Sequence, residues 1–200
     1  MWSPDLRFLG KRLKYPYMSK RTTDKTKNLF KYFVGITTVI LLRLIPHLHN
    51  VEPVMGTMMP FSKKWGWLGG AVFSLLAILS YDLITGTIGV WTLMTAGTYA
   101  LIGGFSGIFF KNKKSTIKNY LIFSILGTLV YDAITGIGTG MLFFNQSFAV
   151  TFLGQIPFTL YHLAGNIFLS VTVSPLLYKW IITNPNLETK RVFAFVFSRA

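Results

Sequence analysis

Apolar residues in this chain fall into long uninterrupted runs, not the one-sided stripes of a surface helix or the alternation of a half-buried strand. Five runs are strong: Asn28–Pro46, Trp65–Gly86, Val90–Phe110, Thr116–Gly138 and Ile156–Ile182. Each is close to the length a helix needs to cross about 30 Å of hydrocarbon at 1.5 Å per residue. Between the first two lies a weaker stretch, Val51–Phe61 (VEPVMGTMMPF), which hydropathy alone does not assign.

Charge decides how that weak stretch is read. Nine of the 20 Lys and Arg precede or open the first run, and five of the other eleven sit in the short gaps between runs. Cations accumulate on the cytoplasmic side of a membrane protein. With a cytoplasmic N-terminus, five spans alone would put Lys63 and Lys64 outside. A return through the membrane by Val51–Phe61 brings Lys63, Lys64, Lys111, Lys113, Lys114, Lys118, Lys190 and Arg191 to the inner side. The expectation is therefore an all-α integral membrane protein. It is a six-helix transmembrane bundle with a short second helix and both termini cytoplasmic, multi-pass in a prokaryotic plasma membrane. Residues 1–27 form a basic tail facing anionic lipids, 28–182 the membrane domain, and 183–200 a cytoplasmic C-terminal tail. The N-terminal stretch is too long and basic to read as a cleaved secretory signal. On the outer side, the Thr85–Gly89 turn is tight, and Thr139–Gln155 is expected to lie along the interface or to cover the bundle.

Composition agrees with this picture. Apolar residues make up 52% and charged ones 13% of 200 residues, too little polar surface for a soluble chain of this size. The net charge of +14 does not indicate nucleic acid, because the cations flank apolar runs instead of forming a phosphate-tracking face. Without cysteine, disulfides, thiolate catalysis and Cys-based metal sites are excluded. No phosphate-cradling GxxxxGK[ST], HExxH or GxSxG occurs, so neither an enzyme nor a resident cofactor or metal is expected.

The candidate chemistry begins with a repeat. Tyr81-Asp82-Leu83-Ile84-Thr85-Gly86 recurs as Tyr131-Asp132-Ala133-Ile134-Thr135-Gly136, with both copies expected to close a helix running outward. Such a parallel repeat has its pseudo-axis along the membrane normal. Arg43, three residues before Pro46, reaches a similar depth, so a structural ion pair of Arg43 with Asp82 or Asp132 is expected. Charges at this depth are costly unless they are paired or face water. Further polar groups converge on the outer half: His47, His49, Asn50 and Glu52 after the first run, Trp91 and Thr92 opening the fourth element, and Gln155, His162 and Asn166 in the last. His162 and Asn166 share a helix face, and Tyr161 is expected to add an aromatic wall. Helix contacts are expected at Gly66, Gly69, Gly70 and Ala71, and at Ala96, Ala100 and Gly104 with Gly103 and Gly107 beside them.

The stretch from Ile45-Pro46 through Asn50-Val51-Glu52-Pro53-Val54, then Asp82, then Gly89-Val90-Trp91-Thr92, resembles one family. So does Gln155-Ile-Pro-Phe followed by His162 and Gly165-Asn166. The similarity is to the substrate-binding S components of energy-coupling factor (ECF) vitamin transporters, over roughly residues 28–182. It implies a six-helix protein that captures a small-molecule micronutrient from outside and docks on an ECF transmembrane scaffold served by cytoplasmic ATPases. By position it implies a pocket of Asn50, Glu52, Asp82, Trp91, Thr92, Gln155, His162 and Asn166, to which the repeat adds Asp132. The alternatives are a non-transporting scaffold of envelope or cell-shape machinery, or a stand-alone small-molecule carrier.

Overall fold

The structure is a computed structural model and describes residues 28–45 and 51–198. The basic tail, His47, His49 and the pocket candidate Asn50 lie outside the described residues. All regular structure among those described is helical, and four helices are long and apolar enough to cross a membrane: Pro53–Thr85, Val90–Phe110, Ile117–Phe143 and Phe148–Ile182.

Helix α1, Leu29–Leu44, stops where Ile45 turns extended (φ −70°, ψ 129°), as a residue before proline must. It buries Lys31, Gly35 and Val39, one face at four-residue steps. Helix α2, Pro53–Thr85, starts with Pro at its first position, where the missing N–H costs nothing. The Glu52 carboxylate accepts from Val54 N at 3.4 Å. At Gly66 the backbone breaks (φ 73°, ψ −163°), a conformation open in practice only to glycine, and α2 continues as a second leg. Every residue from Pro53 to Ser62 in the first leg is buried. That explains the leg's weak hydropathy: it packs against protein on all sides and needs no lipid-compatible face. The core is built on it, with Val54, Met55, Met58, Met59 and Phe61 packed with Phe73, Ile78, Tyr99 and Ile102.

The second leg ends at Gly86 in the left-handed region (φ 70°, ψ 22°), with Thr87 N donating to Asp82 O at 2.9 Å. Helix α3, Val90–Phe110, then returns against it. The contact is backbone on backbone: a Cβ on Gly70 would overlap the carbonyl of Gly103, and a Cβ on Gly103 the carbonyl of Gly70. Ser62 Oγ donates to Gly103 O at 3.2 Å across the same contact. Of the small residues expected here, Ala96, Gly103 and Gly107 face inward, while Ala100 is half-buried and Gly104 meets almost nothing.

Helix α4, Ile117–Asp132, corrects one expectation. The second repeat copy does not close it. The chain runs on through a π-helical segment, Ala133–Gly138, into α5, Thr139–Phe143. Two hexapeptides alike at five of six positions therefore end one helix at Gly86 and continue another as a π-helical segment through Gly136. The difference lies in the neighbours. Nothing stands near Gly86, whereas Gly136 lies directly under the Gln155 side chain. Thr139–Gln155 is likewise not a lid: after a turn carrying Asn145 at φ 53°, helix α6 begins at Phe148 and runs to Leu177. Ser147 caps it, accepting from Val150 N at 3.4 Å. A π-helical segment, Tyr178–Ile182, ends this helix, and α7, Thr189–Phe197, follows.

Charged side chains sort the helix ends. Lys31 Nζ donates to Ile182 O at 2.8 Å and Lys63 Nζ to Phe110 O at 3.0 Å, so cations meet carbonyl ends at one end of the bundle. Arg43, Glu52, Asp82 and Asp132 gather toward the other.

Candidate functional site: a polar cavity at the acidic end

Where α1 ends and α2 begins, Arg43, Val51, Glu52, Tyr81, Tyr131, Phe158 and His162 line a cavity of about 280 Å³. Arg43 pairs with Glu52 at 3.3 Å, and its guanidinium lies 3.8 Å from the centre of the Tyr81 ring. This corrects the expected ion pair of Arg43 with Asp82 or Asp132. Helix α1 ends at Leu44 and α2 starts at Pro53, and the capping residue Glu52 stands beside Arg43. Each aspartate finds a different partner. Asp82 Oδ2 accepts from Thr92 Oγ1 at 2.6 Å, tying α2 to α3. Asp132 Oδ1 pairs with His162 Nδ1 at 2.7 Å, tying α4 to α6.

Successive residues on a helix are about 100° apart, so the repeat divides its labour within each Tyr-Asp pair. Tyr81 and Tyr131 face the cavity, while the aspartates beside them face neighbouring helices. Tyr131 and Phe158 both present edges to the His162 ring, at centroid distances of 5.4 and 5.8 Å. With Nδ1 paired to Asp132, the ring's other nitrogen, Nε2, is the one left for a further partner. That atom is buried without a hydrogen-bond partner, and so is Arg43 NH1. Buried polar atoms are rarely left unpaired. Here two of them belong to residues that line one cavity, together with three aromatic rings.

The other expected site residues divide. Asn166 is fully buried and donates to Thr128 Oγ1 at 2.8 Å, which makes it an α4–α6 fastener behind the cavity. Thr92 is occupied by Asp82 and by Gly89 N at 3.1 Å. Trp91 is 52% exposed and stacks on Phe144, away from the cavity. Gln155 reaches Thr159 Oγ1 at 3.4 Å and lines a separate groove. Tyr161 points outward, and Phe158, one turn from His162, supplies the wall expected of it. Tyr81 and Tyr131 are cavity residues that sequence reasoning passed over, although the repeat itself contained them. No cluster of three His, Asp or Glu able to hold a metal occurs among the described residues.

The class of protein these features define is a membrane-embedded helical bundle with a polar, aromatic-walled cavity at one end. No family model, curated protein or solved structure matches the chain, so its function is read from the cavity's geometry and the motif resemblance.

Proposed function

We propose that this chain is the substrate-binding subunit of an ECF-type micronutrient uptake transporter, with six membrane elements, both termini cytoplasmic, and the polar cavity opening outward. The observation that carries the reading is the cavity itself, lined by Tyr81, Tyr131 and Phe158 and by Arg43 and His162, each of which has a buried nitrogen without a partner. Small-molecule sites combine an apolar or aromatic wall with a few convergent polar groups in this way. The resemblance of Val51-Glu52-Pro53-Val54 and Gln155-Ile-Pro-Phe to the S-component family supports it, and so does the segregation of cations to the opposite end. On this reading Pro53–Trp65 and the leg beyond Gly66 count as two elements. An ECF scaffold and ATPases would supply the energy, and the basic tail would lie on anionic lipids.

Two experiments test it. Because the chain has no cysteine, Lys64→Cys and Thr87→Cys report topology directly. A membrane-impermeant maleimide is expected to label Thr87→Cys in intact cells and Lys64→Cys only after permeabilisation. Labelling of Lys64→Cys from outside refutes the six-element topology. Native mass spectrometry of the purified protein is expected to find a retained small molecule, and Arg43→Ala to lower its affinity about tenfold or more, as loss of a charge-assisted contact does. Unchanged retention in that variant removes the cavity as the site.

A further inference from the structure

A second recess lies on the other side of the His162–Asp132 pair. Leu129, Asp132, Ala133, Ile137, Phe152, Gln155, Ile156, Thr159, Leu160 and Leu163 enclose about 400 Å³ between α4 and α6, within the usual range of small-molecule pockets. Its rim is open sideways: Leu129, Phe152, Ile156 and Leu160 are 45%, 45%, 44% and 62% exposed, on faces where a membrane helix meets acyl chains. The π-helical segment Ala133–Gly138 follows Asp132 directly and contributes Ala133 and Ile137 to the groove, and such turns within helices are frequent at functional sites.

Besides the Gln155 amide and the Thr159 hydroxyl, which bond to each other, the recess is lined by one carboxylate. Asp132 is 2% exposed, and its Oδ2 has no hydrogen-bond partner, Oδ1 being taken by His162. A carboxylate accepts only. Among the described residues Asp132 pairs with no Lys or Arg, whereas Arg43 is matched by Glu52. The recess therefore holds a buried carboxylate oxygen without a partner in a low-dielectric setting, where a charged donor gains most.

We propose that this groove binds a cationic amphiphile from the bilayer, a single alkyl chain lying along Ile137, Ile156 and Leu160 with a protonated primary amine donating to Asp132 Oδ2. The site is distinct from the polar cavity: the two share no lining residue, and the His162–Asp132 pair separates them.

The test uses the full chain in a non-ionic detergent, with hexadecylamine, hexadecan-1-ol and hexadecanoate titrated separately and bound adducts counted by native mass spectrometry. Hexadecylamine is expected to bind at least about tenfold more tightly than either analogue, the advantage of a charge-assisted hydrogen bond in a dry site. Asp132→Asn should remove that preference. Because Asp132 also holds His162, a second variant avoids the core: Leu160→Trp fills the groove from its exposed rim and should abolish the adduct while leaving the unfolding midpoint unchanged. Equal binding of the alcohol overturns the assignment of a cation, equal binding of hexadecanoate overturns the role of Asp132, and unchanged hexadecylamine binding in Leu160→Trp overturns the site.

Discussion

Replacing His162 with alanine is expected to destabilise the folded bundle by about 3–5 kcal/mol, the cost of leaving a buried charge without its partner. Asp132 and His162 have side chains only 3% exposed, and Oδ1 and Nδ1 are 2.7 Å apart. Asp132→Ala should cost less, about 1–3 kcal/mol, because it leaves a neutral ring with an unmet donor and no stranded charge. The double variant should be more stable than His162→Ala alone. Reversible unfolding in detergent, read by circular dichroism across the four proteins, checks this. A double variant whose loss equals the sum of the two single losses would mean that the pair is not coupled. The result also bears on the cavity, since His162 Nε2 keeps its orientation only while Asp132 holds the opposite nitrogen.

Gly103→Ala should be at least as damaging as an overpacked core substitution, about 3 kcal/mol or more. An ordinary core can absorb a methyl group by moving side-chain ends. At Gly103 the new carbon would meet the main-chain carbonyl of Gly70 and the Ser74 hydroxyl, and backbone does not give way without separating two helices. Gly104→Ala, one residue along and nearly free of contacts, is the matched control and should change stability little. Thermal unfolding of both proteins in the same detergent measures the difference. Similar midpoints would show that α2 and α3 tolerate wider spacing.

The four long helices were legible in the sequence because lipid-facing surface demands continuous apolar residues, and such runs are visible without any knowledge of packing. The region after Gly136 was not. Thr139 and Gly140 have the composition of a loop, yet Gly140 packs on Thr151 and Gly136 on Gln155, so contact with α6 holds residues 133–143 helical and the chain turns only at Asn145 and Gln146. Tertiary contact overrode propensity there. At the site, depth along each helix was legible and azimuth was not. Counting residues from the membrane surface put Arg43, Asp82 and Asp132 at one level. Which neighbour each faces depends on rotation about the helix axis, and so the aspartates were credited with the cavity that the tyrosines line. Glu52 was recognised as polar, but its reach to Arg43 depends on the path of a connection that no periodicity describes.

The concealed first leg of α2 has a consequence for how the protein is made. A segment of roughly 20 Å with no outward apolar face gains nothing from meeting acyl chains by itself. Its favourable surroundings are the rings of Phe73 and Tyr99 and the backbone of Leu169, against which Gly56 lies, and these arrive later in synthesis. The leg must therefore wait, loosely held near the insertion machinery, until residues more than a hundred positions downstream have emerged to enclose it. Its seating is then among the last events of biogenesis, and damage near Leu169 would first expel a stretch of chain far away in sequence.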